Sequence, residues 1–254
     1  MNDSQQLKLR RIGGVFWQLL FPRVCPVCGE LLQKKLTEGE EPPFICPNCY
    51  AKLRFVGENG CMKCSRPIPE EEEYCEDCRK RKLLFDNGRA LLLHDENARK
   101  ILYDLKYSNR RDNADFIGYE IAAQMGDSLR IWDVDALIPV PLHPRRQLRR
   151  GYNQAEVIAE NISYWIKRLH GLAIPVVCNV LFRTAYTRPQ KELGAGDREA
   201  NLRSVFKAEL PDTLRRVVLV DDIFTSGSTL SACAEAMKSA CAERVFFLTG
   251  SIVP

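Results

Sequence analysis

The sequence predicts an α/β protein, a mostly parallel sheet flanked by helices, preceded by a small cysteine-rich module. Two observations predict it. Beyond residue 87, short apolar runs alternate with amphipathic stretches at helical spacing, as right-handed βαβ crossovers require. Before it, eight of the eleven cysteines lie between Cys25 and Cys78, in a turn-rich stretch without long periodic segments. The turn Asp86-Asn87-Gly88 marks the change, so the expected domains are residues 1–87 and 88–254.

The elements follow in order. Ala90-Leu91-Leu92-Leu93 reads as a first strand within 89–94. Ala98, Ile101, Leu102 and Leu105 repeat at helical spacing, and Ile117, Ile121, Met125 and Leu129 line a second helix. Residues 136–140 read as a buried strand closed by Pro141. Ala155, Ile158, Ala159, Ile162, Ile166 and Leu169 form one stripe of a long helix, and Val176-Val177 suggests a short strand. Arg216 precedes the run Val217-Val218-Leu219-Val220, the composition of a central parallel strand. Leu230, Cys233, Ala234, Met237 and Cys241 mark the next helix, and 244–251 the last strand. Ligands of such sheets bind at the carboxyl ends of the strands, which selects the loops 142–151, 181–202 and 221–229.

The bulk composition excludes several classes. A formal charge of +4, from 37 basic and 33 acidic side chains, is too small to announce a nucleic-acid-binding protein; only local clusters remain as candidates. No apolar run approaches the roughly 18 residues that span a bilayer. Residues 12–21 are apolar but short and lack a small-residue cleavage site, so they read as a packing helix or as a peripheral membrane or partner contact. A chain without a secretory signal is expected in the reducing cytoplasm, where paired cysteines hold metal rather than each other.

The cysteines fit that expectation. Cys25-Pro-Val-Cys28 and Cys46-Pro-Asn-Cys49 are separated by 17 residues, and Cys61-Met-Lys-Cys64 and Cys75-Glu-Asp-Cys78 by 10. Two residues between cysteines let a tight turn aim both thiolates at one ion, and two such knuckles complete a tetrahedral shell for structural zinc. Four thiolates leave no open position for catalysis. Pairing in sequence order is simplest and gives two ions; an interleaved pairing also satisfies the spacing. A small module with little core needs such metal to fold, and it then positions a partner or the other domain. Cys178, Cys233 and Cys241 are not expected as ligands.

The most informative segment is 217–230. A buried strand ends in Asp221-Asp222; Thr225, Ser226, Gly227, Ser228 and Thr229 then lead into a helix. Backbone N–H groups at a helix start bind anions, Gly227 permits close approach, and the hydroxyls suit phosphate oxygens. Two consecutive acids after a buried strand have no folding rationale. They would repel a phosphate unless they face sugar hydroxyls or a metal. A ligand that combines phosphate, diol and magnesium resolves the conflict, and 5-phosphoribosyl-1-pyrophosphate (PRPP) is one. The segment resembles the PRPP motif of type I phosphoribosyltransferases. That resemblance implies that Asp221 and Asp222 contact the ribose hydroxyls, directly or through water and Mg²⁺, and that Thr225, Ser226, Gly227, Ser228 and Thr229 cradle the 5′-phosphate.

Arg145, Arg146, Arg149 and Arg150 crowd the segment after the 136–140 strand, where a phosphoribosyltransferase carries its pyrophosphate loop; a solvated basic turn is the plainer alternative. Residues 188–202 carry two glycines and mixed charges, as a mobile lid or an exposed linker would. The segment Arg150-Gly151-Tyr152-Asn153-Gln154, the spaced Gln190, Arg198 and Asn201-Leu202, the PRPP motif and the cysteine knuckles together resemble the ComF family of competence-associated phosphoribosyltransferase-like proteins. The resemblance implies a type I phosphoribosyltransferase-like fold and a role in natural transformation, where imported single-stranded DNA is handled at the inner membrane face. It also implies a ComFA-type DNA helicase and a DprA-type recombination mediator as partners.

Three functions follow from these residues. A pentosyltransferase would use Asp221 and Asp222 on the sugar, with Arg149 and Arg150 foremost among the arginines neutralising pyrophosphate. A non-catalytic adaptor would contact single-stranded DNA through the zinc module and basic loops, with the phosphate loop sensing PRPP or holding a nucleic-acid phosphate; Tyr152 and the nearby arginines would stack bases, or Tyr152 is an ordinary core residue. A PRPP sensor would keep the phosphate loop and contact a partner without turnover.

Overall fold

The computed structural model describes residues 23–32, 43–57, 59–108, 110–184 and 205–254; the apolar segment 12–21 and the expected lid 188–202 lie outside the described residues. Two short helices sit in the cysteine-rich part, α1 (Pro47–Tyr50) and α2 (Glu76–Lys80). There follow β1 (Gly88–Leu93), α3 (Glu96–Tyr107), α4 (Asp112–Trp132), β2 (Ala136–Pro139), α5 (Pro144–Arg150) and α6 (Gln154–His170). The chain continues through β3 (Leu181–Arg183), β4 (Phe206–Ala208), β5 (Arg216–Phe224), α7 (Ser228–Ser239) and β6 (Arg244–Ile252).

The main sheet is fully parallel, in the order β1-β6-β5-β2. Val217 to Val220 are buried on both faces, which is why β5 reads as an unbroken apolar run. Helices α3, α4 and α6 pack with Leu91, Leu137, Val218, Val220 and Leu248 on one face. On the other, α7 and the antiparallel pair β3–β4 pack with Ala136, Ile138, Val217, Leu219 and Phe247. The Asp95 carboxylate caps α3 by accepting from the Ala98 N–H at 3.0 Å. Asn153 caps α6 by accepting from the Ala155 N–H, and its amide donates to the Val140 carbonyl, which ties the start of α6 to the end of β2. Among the described residues, no helix is long and apolar enough to cross a membrane.

The cysteine-rich segment belongs to both cores. Phe55 bridges antiparallel to Leu92, and Val56 N–H donates to the Leu91 carbonyl, so residues 54–56 cover the otherwise open edge of β1. Cys25, Ile45, Cys49 and Leu53 join the core of α3, α4 and α6. Cys61, Cys64, Cys75, Leu83 and Phe85 join the core of α7 on the opposite face. Phe85 is fully buried, edge-on to Phe247 at 4.8 Å and to Phe224 at 6.0 Å.

Several expectations need correction. Residues 142–151 are not a loop: 144–150 are α5, with Pro144 in the first turn, His143 accepting from the Arg145 N–H, and Gly151 closing it in the left-handed region. Arginine, glutamine and leucine are good helix formers, and a run of them between two such signals winds up. Strand β5 continues to Phe224, so the two acids lie on the strand rather than after it. Helix α7 stops at Ser239, which leaves Cys241 exposed at a positive φ instead of on the apolar stripe. Leu169 is exposed, and Val176 makes only a single bridge to Leu137. The β3–β4 pair escaped notice because its strands are three residues each.

Helices α4 and α6 approach closely at Gly118, where an added Cβ would lie 2.4 Å from the Asn161 Cβ and 2.8 Å from its backbone carbon. Backbone cannot yield as a side-chain tip does, so Gly118→Ala is expected to destabilise the protein by about 1–3 kcal/mol, read as a lower urea midpoint at unchanged slope.

Candidate functional site

Strands β2 and β5 are neighbours, but their onward connections diverge. The chain leaves β2 through α5 to α6 on one face and leaves β5 to α7 on the other. Where adjacent connections part, a crevice opens at the carboxyl edge of the sheet. Residues 140–153 and 221–229 flank it.

Asp221 and Asp222 project from the end of β5. Asp222 is buried, forms an ion pair with the Lys106 ammonium from the last turn of α3, and accepts weakly from the Gln154 amide at 3.5 Å. Asp221 accepts from the Asp222 N–H at 2.8 Å. Desolvation, and then the charge of Asp222, push the Asp221 carboxyl well above the usual carboxylate range. His94, at the end of β1, bonds Ser251 at 2.9 Å; burial, and then Arg99 and Lys106, lower its pKa. Among the described residues two carboxyls share the Lys106 ammonium, an arrangement that suits a ligand bringing hydroxyl donors or a divalent cation.

Beyond them, Gly227 has φ 74° and forms the N-cap of α7. A Cβ there would lie 2.7 Å from the Phe224 ring. No side chain caps α7, so its first-turn N–H groups keep their capacity for an anion. Ser226 and Ser228 place their hydroxyls 2.9 Å apart beside that turn, Thr225 is exposed, and Thr229 is half-buried.

Arg150 ties the end of α5 to α3 and to the start of α6. Its guanidinium donates to the Gln154 side-chain oxygen at 2.8 Å and to the Tyr107 hydroxyl at 3.1 Å, and stacks over the Tyr107 ring at 4.9 Å. The bond from Arg150 lowers the Tyr107 pKa. Through Gln154 this arginine is one residue removed from Asp222. Arg149 lies 5.9 Å over the same ring from the exposed side, and Arg145 and Arg146 are exposed on α5. Arg183 on β3 stacks on Phe206; burial, and then Arg146, lower its pKa, while Asp221 opposes them.

The structure thus brings Asp221, Asp222, Gly227, Ser228 and Arg150 to one crevice. It adds Lys106, Tyr107, Arg183 and His94, which sequence reasoning missed. No sequence signal marked Lys106 or Tyr107, at the C-terminal end of a helix that starts from the crevice side of β1. Of the two readings of Tyr152 the structure gives the core one: it is buried, donates its hydroxyl to the Leu105 carbonyl and lies under the Arg111 guanidinium, so it anchors α3.

The eight cysteines settle into two clusters in sequence order, Cys25, Cys28, Cys46 and Cys49, and Cys61, Cys64, Cys75 and Cys78, with the sulfurs of each within 4.8 Å of one another. The Cys28–Cys46 and Cys64–Cys75 sulfurs are 3.8 and 3.7 Å apart. A tetrahedron of thiolates about 2.3 Å from zinc has edges of about 3.8 Å, so the donor sets fit. Crowding of the thiols shows in their acidities. Bonds from Cys64 and Cys78 hold Cys61 far below its ordinary value, and the bond to Cys61 pushes Cys64 far above it.

Residues 16–79 match the family model described as the double zinc ribbon domain. This segment is thus similar to a double zinc ribbon, and its two four-cysteine clusters agree with that likeness. Competence protein F of Haemophilus influenzae is 29% identical over 209 residues, 79% of this chain and 87% of the relative. DNA utilization protein YhgH of Escherichia coli K12 is 27% identical over 80% of this chain and 89% of the relative. Competence protein ComFC of Streptococcus pneumoniae is 21% identical over 87% and 96%. The chain is a homologue of these proteins over most of its length, and the ribbon's two four-cysteine sites support structural zinc. Elemental analysis should find two zinc ions per chain, and Cys61→Ser with Cys64→Ser should leave one; two ions retained in that variant would contradict the assignment of the ribbon's ligands.

Proposed function

We propose that this chain binds PRPP with Mg²⁺ at the β2–β5 crevice and transfers its phosphoribosyl group, acting in DNA uptake where imported single-stranded DNA is handled. The observation that carries the reading is the pairing of the acidic end of β5 with the side-chain-free N-cap of α7 across a single turn. The relatives' names, competence and DNA utilization, support the biological role. Asp221 and Asp222 would accept hydrogen bonds from the ribose hydroxyls, replacing the Lys106 contact, while the first turn of α7 holds the 5′-phosphate. As the acceptor attacks C1, the C1–O bond breaks and its electron pair leaves with pyrophosphate. The positive charge of Arg150, Lys106 and Arg183 would stabilise that leaving group. Magnesium supplies further neutralisation of the pyrophosphate when bound, and the under-compensated Asp221 carboxyl fits it as a ligand, directly or through water. Calorimetry with PRPP and Mg²⁺ tests the reading. Asp221→Ala with Asp222→Ala should weaken binding tenfold or more, since hydrogen bonds to charged groups contribute about 1.5–3 kcal/mol each. Unchanged affinity in the folded double variant would refute the site.

A second reading, an adaptor for single-stranded DNA, is favoured by one surface. Tyr103 and Tyr107 are 58% and 51% exposed on α3, with rings 4.8 Å apart, beside Arg149 and Arg150. Exposed aromatic rings interleaved with arginines form a stacking platform for bases. Tyr103→Ala is expected to cost about 1–3 kcal/mol of single-strand affinity, with log affinity falling linearly against log salt. Affinity that ignores both the substitution and the salt would remove this reading.

A further inference from the structure

The second cysteine cluster touches the phosphate loop directly. Arg66, two residues after Cys64, forks its guanidinium: one nitrogen donates to Asp77 in the Cys75–Cys78 knuckle at 2.7 Å, the other to the Thr225 carbonyl at 2.9 Å. Arg81, at the end of α2, donates to the Ser226 carbonyl at 3.1 Å. Leu84 N–H donates to the Ser231 hydroxyl at 3.0 Å, and the Leu83 side chain lies 3.5 Å from where a Cβ on Gly227 would stand. Lys63 in turn donates to the Leu83 carbonyl at 2.8 Å. Arg66 in the ribbon, and Arg81 and Leu84 just after it, thus bond to Thr225, Ser226 and Ser231.

We infer that Arg66 and Arg81 are positioning residues for anion binding at the crevice, a role that rests on the proposed function. A trans peptide points its carbonyl and its N–H in opposite directions. Drawing the Thr225 and Ser226 carbonyls toward the ribbon turns the N–H groups of Ser226 and Gly227 away from it. Charge-assisted bonds from two guanidinium groups hold that orientation before any ligand arrives, so the loop need not be ordered at the moment of binding. Asp77 fixes the Arg66 fork, which couples the geometry of the second cysteine site to the phosphate loop. The first cysteine cluster, packed on the opposite face of the sheet, has no such path among the described residues.

The experiment uses full-length, zinc-loaded protein and the variants Arg66→Ala, Arg81→Ala and Arg81→Lys. Amide hydrogen exchange over 224–231, zinc content and affinity for magnesium PRPP are measured on each. Arg81→Ala leaves the Arg66–Asp77 pair in place, so it decides the matter even if Arg66→Ala loses metal. The expected result is faster exchange confined to 224–231, two zinc ions retained, and PRPP affinity lower by about tenfold or more. Arg81→Lys, which still offers a cationic donor, should restore part of the loss. Exchange unchanged in Arg81→Ala, or faster across 61–78 as well, would overturn the inference. If wild-type protein fails to bind PRPP, the proposed function fails, and the exchange data alone then decide whether these arginines hold the loop.

Discussion

The ion pair between Lys106 and Asp222 is the interaction on which the crevice depends. Asp222 is buried within β5, two residues before the strand ends at Phe224, where a lone carboxylate would be costly to desolvate. Lys106 supplies the compensating charge from α3, and Gln154 and Arg150 link it to the start of α6. Removing the ammonium alone would strand the acid, a loss of about 3–5 kcal/mol for a buried pair. Desolvation and the charge of Asp222 hold the Asp221 carboxyl high, with Lys106 opposing them, so a bound cation would favour its ionised form.

The ribbon serves this arrangement from the side. A four-stranded parallel sheet whose β1 edge was bare would invite pairing with another chain; residues 54–56 close it. From that edge the two cysteine clusters part, one to each face. The module thereby does more than fold around its metal: its first half completes the core over α4 and α6, and its second half reaches the turn before α7.

Much of this was legible in the sequence, for physical reasons. Val217 to Val220 had to be central because no face of the strand is polar, and Cys-x-x-Cys spacing is set by the turn that aims two sulfurs at one ion. The acidic pair stood out because nothing in folding asks for it. What stayed hidden depends on contacts between distant segments. Nothing in the sequence singles out Lys106 or Tyr107, which gain their partners only when β5 and α5 stand beside them. Tyr152 allowed both a stacking and a core reading until the bond of its hydroxyl to the Leu105 carbonyl decided for the core. Which knuckle pairs with which, and Arg66 reaching Thr225 across 159 residues, follow from the tertiary fold alone.

The central claim is that this crevice holds a phosphorylated ribose in one orientation. The most direct measurement is difference electron density from crystals grown with PRPP and Mg²⁺. The 5′-phosphate should lie on the first turn of α7 and the ribose hydroxyls on Asp221 and Asp222, with the Lys106 ammonium drawn off Asp222 toward the pyrophosphate. Density at the arginines of α5 with the turn before α7 empty, and the Lys106–Asp222 pair intact, would contradict it.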